Sequence, residues 1–190
     1  VFTVPAEKGE PRNLTRTPDI NEIRAEWSPD GKWVAYFSDR DGEYELYVRP
    51  GDGTGEERRL TKGNTTYYYG MEWSPDSEKI LTYDAEMSLR WVDVESGKSR
   101  DISQGIGRRR FDADWSPDSR WVAFSEADEN GLSSIFLHDT DEGETTRVTS
   151  MMTDDDSPAF GEDGKYLFFA SARTFNPRFA GYDIAPYWEE

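Results

Sequence analysis

Short apolar runs alternate with polar, turn-forming clusters along the whole chain, and no segment sustains a helical period. The clearest unit begins with a strand ending in Ala25-Glu26-Trp27, and Ser28-Pro29-Asp30-Gly31 then turns the chain. In such a turn Pro presets φ at the first corner, Asp and Ser bond neighbouring amides, and Gly accepts a positive φ. Trp33-Val34-Ala35-Tyr36-Phe37 follows, apolar at successive positions, as expected of a strand covered on both faces. After a turn at Ser38-Asp39-Arg40-Asp41-Gly42 comes a third strand, Leu46-Tyr47-Val48. A Gly-rich turn over Gly51 to Gly55 leads to a short charged edge, Arg58-Arg59-Leu60-Thr61, of the kind that discourages sheet-to-sheet aggregation. Further second strands are expected at Lys79–Tyr83, Trp121–Phe124 and Tyr166–Ala170, and third strands at Leu89–Val92, Ser134–Leu137 and Tyr182–Ile184.

The unit repeats. Its turn recurs at Trp73-Ser74-Pro75-Asp76-Ser77, at Trp115-Ser116-Pro117-Asp118-Ser119 and, degraded, at Phe160-Gly161-Glu162-Asp163-Gly164, with spacings of 46, 42 and 45 residues. That is the period of a four-stranded propeller blade. A second anchor, Leu14-Thr15, Leu60-Thr61, Ile102-Ser103 and Val148-Thr149, stays in phase 12, 12, 12 and 11 residues ahead of the next Trp or Phe. The fold class is therefore all-β, a β-propeller segment of about four blades. Where Ser77 and Ser119 replace the turn glycine, a positive φ carries strain.

One domain spans 1–190, divided into a partial blade at 1–15, blades at about 20–61, 66–103 and 108–150, and an incomplete blade at 156–190. Phe2-Thr3-Val4 and Arg12-Asn13-Leu14-Thr15 read as third and fourth strands of an earlier blade. Two arrangements accommodate the uneven ends. The strand at Arg12 to Thr15 completes the last blade and closes a ring of four, or two chains pair into a larger ring and cover each other's apolar faces.

Composition narrows the partners. A net charge of -17 disfavours nucleic acid and anionic membranes, which repel an acidic surface at long range. There is no cysteine, hence no disulfide framework or thiolate metal site, and no apolar run approaches a membrane span. The chain starts at Val1 without a signal-peptide pattern and reads as an excised segment of something longer. Lysine is scarce, 6 residues against 16 arginines, a balance compatible with a high-salt source.

No catalytic constellation is legible. The lone histidine, His138, follows a strand and has no GxSxG elbow to serve. No cofactor fingerprint and no metal-ligand spacing occurs; the turns at Asp39–Gly42 and Asp128–Gly131 depart from calcium-loop spacing. Asp112 and Asp114 share one strand face, a poor geometry for attack on opposite sides of a sugar.

The repeat resembles the WD-like units of TolB-type periplasmic proteins, prolyl oligopeptidase relatives and tricorn proteases. Three segments resemble tricorn-type peptidases in particular: Phe2–Gly9 with Arg12–Thr15, Ser38–Tyr47, and Tyr182-Asp183-Ile184-Ala185-Pro186. The resemblance implies a non-catalytic propeller of a large serine peptidase that degrades oligopeptides, acting as channel, filter and scaffold. The catalytic Ser and His would lie in later domains. Its partners would be peptides or the parent's protease domains, with self-association into a dimer through exposed blade edges. The location would be cytoplasmic. Two other readings stay open: a free-standing TolB-like module, periplasmic, that binds protein or peptide partners, and an engineered half-propeller that self-assembles.

Candidate contacts lie where loops lead into the first strand of each blade. Tyr67-Tyr68-Tyr69, Arg108-Arg109-Arg110 and Asp154-Asp155-Asp156 stand at successive blade entries. Strand alternation aims part of each trio inward and the rest between blades. Aromatic, cationic and anionic stations could touch a passing peptide, with Arg holding a carboxylate. Alternatively the tyrosines pack between blades while Arg and Asp neutralise one another or face solvent.

Overall fold

A computed structural model describes residues 1–4, 7–105, 112–150 and 152–173, together with the backbone of 178–179 and 182–183. The described residues form strands and turns and no helix. Three four-stranded antiparallel sheets follow one another in sequence. Blade A contains β3 (Glu22–Trp27), β4 (Trp33–Ser38), β5 (Glu45–Pro50) and β6 (Arg58–Arg59). Blade B contains β7 (Tyr68–Trp73), β8 (Lys79–Asp84), β9 (Ser88–Asp93) and β10 (Ser99–Gln104). Blade C contains β11 (Ala113–Trp115), β12 (Trp121–Ala127), β13 (Ser133–Asp139) and β14 (Thr145–Arg147). Two-stranded sheets flank them: β1 (Phe2–Thr3) with β2 (Arg12–Asn13), and β15 (Asp154–Phe160) with β16 (Leu167–Ala172).

The Trp-Ser-Pro-Asp turn works through its serine hydroxyl. Ser28 Oγ donates to Asp30 Oδ1 (2.6 Å) and accepts from the Trp33 amide (3.0 Å), while Lys32 N donates to Asp30 Oδ1 (3.0 Å). Ser74 and Ser116 repeat the arrangement with Asp76 and Asp118. In the degraded fourth copy the Lys165 amide still reaches Asp163 Oδ1 (3.1 Å), but Gly161 supplies no hydroxyl.

The second anchor also has a physical basis. Thr61 Oγ1 accepts the Leu46 amide (2.8 Å) and Thr149 Oγ1 the Ile135 amide (3.0 Å), so the hydroxyl continues the ladder where the outer strand ends. Leu60, beside it, is buried in the core.

Hydrophobic burial occurs between blades. Ala35 and Phe37 of β4 pack with Tyr68, Met71, Trp73 and Ile80 of blade B, whereas Val34 and Tyr36 on its other face join Leu14 beside the β1–β2 sheet. β8 divides likewise: Ile80 faces blade A, and Leu81 packs with Trp115, Val122 and Phe124 of blade C. Trp73 and Trp115 pack toward the preceding blade. Trp73 and Trp115 are 7% and 4% exposed, but Trp27, preceded only by the small β1–β2 sheet, is 49% exposed. At the other end Phe168 is 62% exposed, whereas Ala35, Leu81 and Ala123 at the equivalent position are buried.

Two expectations for the ends are corrected. β2 pairs with β1 and not with the last blade, because Leu14 anchors that small sheet against blade A; a ring of four closed through Arg12 to Thr15 does not form. Among the described residues, the expected third strand of the last unit is also absent from its sheet. Tyr182–Asp183 (β18) pairs instead with Arg178–Phe179 (β17), only two residues upstream, a separation suited to a local hairpin. Ile184, Ala185 and Pro186 lie outside the described residues.

The strain expected at the two turn serines is present, and it has a return. Ser77 and Ser119 hold φ of 65° and 60°, close to the 72° of Gly31 and 68° of Gly164. From that conformation Ser77 Oγ accepts the Asp30 amide of the preceding blade (3.1 Å), and Ser119 Oγ accepts the Asp76 amide (2.9 Å). The serines join consecutive turns into a chain of stitches. Ser119→Ala should therefore keep the strain and lose the bond, costing about 1–2 kcal/mol in urea unfolding. Ser119→Gly should cost less, since the φ penalty disappears with the hydroxyl. Equal losses in the two variants would exclude this account.

Candidate peptide-contact site

The loop that leads from blade A into blade B is built around a buried carboxylate. Glu45 is 4% exposed; its Oε2 accepts the Thr61 hydroxyl (2.6 Å) and its Oε1 the Asn64 amide (3.0 Å). Asn64 in turn donates from Nδ2 to the Tyr44 carbonyl (2.9 Å), which ties the loop to the β4–β5 turn. Neither Glu45 nor Asn64 stood out in sequence as a positioning group.

This loop delivers the tyrosines to different surroundings. Tyr68 is 1% exposed and stacks on Phe37 at 4.3 Å with planes 7° apart, an inter-blade core contact. Tyr67 meets Tyr44 edge-on at 5.6 Å, and Tyr69 lies 6.0 Å from Tyr67; both retain substantial exposure. Tyr67 and Tyr69 share one neighbourhood because alternate residues of an extended segment point to one face, and the β7–β8 register shifts between Tyr68 and Gly70, leaving Tyr69 as the extra residue of a bulge. Tyr44, Tyr67 and Tyr69 thus form one partly exposed aromatic cluster. Tyr44 enters it from the turn before β5 and was not singled out in the sequence.

The aspartates occupy the equivalent entry of the last unit. Asp154 Oδ1 accepts the Ser133 amide of blade C (2.8 Å). Asp155 is buried and accepts the Thr153 hydroxyl (2.9 Å). Burial pushes its carboxyl pKa up, but the hydroxyls of Ser171, Thr149 and Thr153 and the charge of Arg173 outweigh it and hold the pKa below the ordinary value. Asp156 pairs with Ala170 next to a bulge that contains Ser157 and Pro158. The tyrosines are held against blade A and the aspartates against blade C, so the two trios head different blades. Arg108, Arg109 and Arg110 lie outside the described residues.

The remaining sequence candidates have structural surroundings. His138 is 1% exposed, with Nδ1 2.9 Å from the Thr145 hydroxyl; burial, with help from Arg100, lowers its pKa. Asp114 Oδ2 accepts the Phe160 amide of the next unit (2.6 Å). Among the described residues no group of three His, Cys, Asp or Glu side chains is placed to hold a metal ion.

A further set of acids comes into view only in three dimensions. Glu26, Glu72 and Asp114 each precede the repeat Trp, at the ends of successive innermost strands. Burial, reinforced by the charges of Asp114 and Glu26, pushes the Glu72 pKa up to about 7. Glu26 is also raised, by burial, although Arg24 opposes the shift. Repetition of an acid before each Trp was the available signal.

Consecutive four-stranded antiparallel sheets packed face to face, each entered through its innermost strand, define a β-propeller. The chain belongs to the family described as tricorn protease second beta propeller domain, which matches residues 1–183. It is 29% identical over 182 residues to tricorn protease homolog 1 of Streptomyces coelicolor, a match covering 93% of this chain and 17% of that protein. It is 33% identical over 153 residues to the uncharacterized peptidase YuxL of Bacillus subtilis, covering 78% and 21%. The chain therefore spans about a fifth of the length of these curated relatives. Among solved structures, the tricorn protease aligns with a TM-score of 0.72 and 19% identity over 85% of this chain and 16% of its own. TolB from Acinetobacter baumannii aligns at 0.57 and 19%, over 86% and 41%.

The raised pKa of Glu72 fixes a sign for pH dependence. In the unfolded chain this carboxyl titrates near 4.5 and in the folded chain near 7, so between those values the folded state holds more protons. Its contribution to stability is present below about pH 4.5 and is lost as pH rises to about 7. Glu72→Gln should remove that decline, amounting to roughly 2 kcal/mol between pH 5 and 8. Urea midpoints of both proteins across this range are the check, and identical pH profiles would refute the assignment.

Proposed function

We propose that this chain is a non-catalytic propeller segment of a tricorn-like peptidase that contacts peptide substrates on their way to catalytic residues outside it. Membership in the propeller family supports the peptidase context, and one local observation carries the contact itself: the exposed Tyr44, Tyr67 and Tyr69 cluster at a blade entrance. Aromatic faces suit a passing peptide because they bury apolar and backbone groups of many sequences at small entropic cost. The proposed partners are oligopeptides and the protease domains of the parent protein, in a cytoplasmic setting.

Scaffolding and self-association belong to the same proposal. The apolar faces at Trp27 and Phe168 are suited to further propeller blades or to a second copy of the chain.

Double replacement Tyr67→Ala/Tyr69→Ala should weaken binding of fluorescent unstructured oligopeptides several-fold, read by anisotropy. The melting temperature should change little, since the buried Tyr68 is untouched. Unaltered peptide affinity in the double variant would overturn the aromatic contact.

A further inference from the structure

Arg49 is a cation buried without an anion. It lies on β5 opposite Val34, on the face of blade A turned toward Leu14 and the β1–β2 sheet, and is 8% exposed. One terminal nitrogen, Nη1, donates to the Leu14 carbonyl, and Nε is buried with no partner. No carboxylate forms an ion pair with Arg49 among the described residues. A guanidinium presents Nε–H and one Nη2–H side by side along one edge, the geometry that grips a carboxylate or phosphate with two parallel bonds. With Nη1 committed to Leu14, that edge is the unused one. A desolvated charge left uncompensated is unfavourable, so an occupant with negative charge is favoured.

The surroundings point the same way. Arg49 lines a cleft of about 920 Å³ between the β2 segment and the β5–β6 hairpin, shared with Arg12, Arg16, Asp52, Glu56 and Glu57. The acids there are partly spent. Glu57 accepts the Tyr36 hydroxyl (2.6 Å) and pairs with Arg40, and Asp52 accepts both the amide and the hydroxyl of Thr54 (each 2.8 Å). Arg12 and Arg16 are exposed and form no ion pair among the described residues. Three arginines thus face Asp52, Glu56 and the already paired Glu57 across the cleft.

We infer that the cleft between β2 and the β5–β6 hairpin is a binding site for a small oxyanion, contacted first through Nη2 of Arg49 beside the shielded Nε and drawn in by Arg12 and Arg16. The inference is independent of the aromatic cluster, which lies at the entry to blade B. A carboxylate and a phosphate share the required chemistry.

The test follows the Nε–Hε resonance of Arg49 in the ¹⁵N-labelled chain. Sodium phosphate and sodium acetate are titrated separately, with ionic strength held constant by sodium chloride. A saturable shift of the Arg49 signal is expected, stronger with phosphate if the site suits a tetrahedral anion and with acetate if it suits a planar one. The exposed double variant Arg12→Gln/Arg16→Gln should weaken that binding at least threefold while remaining folded. An Arg49 signal that neither anion moves, or that chloride moves equally, would overturn the site. Undiminished affinity in the double variant would remove Arg12 and Arg16 from it.

Discussion

Ala35 and Phe37 are buried against blade B while Val34 and Tyr36, on the same strand, are buried on the opposite face. Covering a sheet on both sides is the constraint from which the rest of the structure follows. Each large side chain so buried contributes about 1.5–3 kcal/mol, and none of that is available to a blade standing alone. Blade folding and blade stacking are thus one event, as in other repeat architectures. The exposed Trp27 and Phe168 mark where the same surface lacks a neighbour among the described residues.

Polar groups make this stacking specific. Apolar faces alone would tolerate sliding, but a hydrogen bond from one turn's backbone to the next turn's serine fixes the rotation of adjacent blades. Ser77 and Ser119 accept an unfavourable backbone conformation to do so. Farther in, an acid precedes each Trp on the innermost strands, and burial, reinforced by the charges of Asp114 and Glu26, raises the Glu72 pKa. Stacking brings like charges together along with the apolar surface.

Much of the fold was legible because it is repeated. The Ser-Pro-Asp turn, the consecutive apolar residues of β4 and the Leu-Thr anchor are local signals, each with a local cause visible in the hydrogen bonds. The pairing of β18 with β17 was not legible, since the sequence suggests strands without naming their partners. The candidate site was only partly readable. Alternation could separate Tyr68 from Tyr67 and Tyr69, but the bulge at Tyr69 and the recruitment of Tyr44 depend on register. Arg49 could not be recognised at all. In the sequence it is one arginine among sixteen, and only burial next to Leu14 without a carboxylate distinguishes it.

The turn stitches also have a direction. Asp30 donates forward to Ser77, and Asp76 donates forward to Ser119, so blade B receives through its side chain and gives through its backbone. A unit carrying both halves of that contact is an interchangeable part. Duplicated or exchanged by recombination, it would meet an upstream neighbour that donates and a downstream one that accepts, whatever its position in the row. Gly31 and Gly164, which retain the backbone shape without the hydroxyl, are the points where that grammar lapses and a junction is free to diverge.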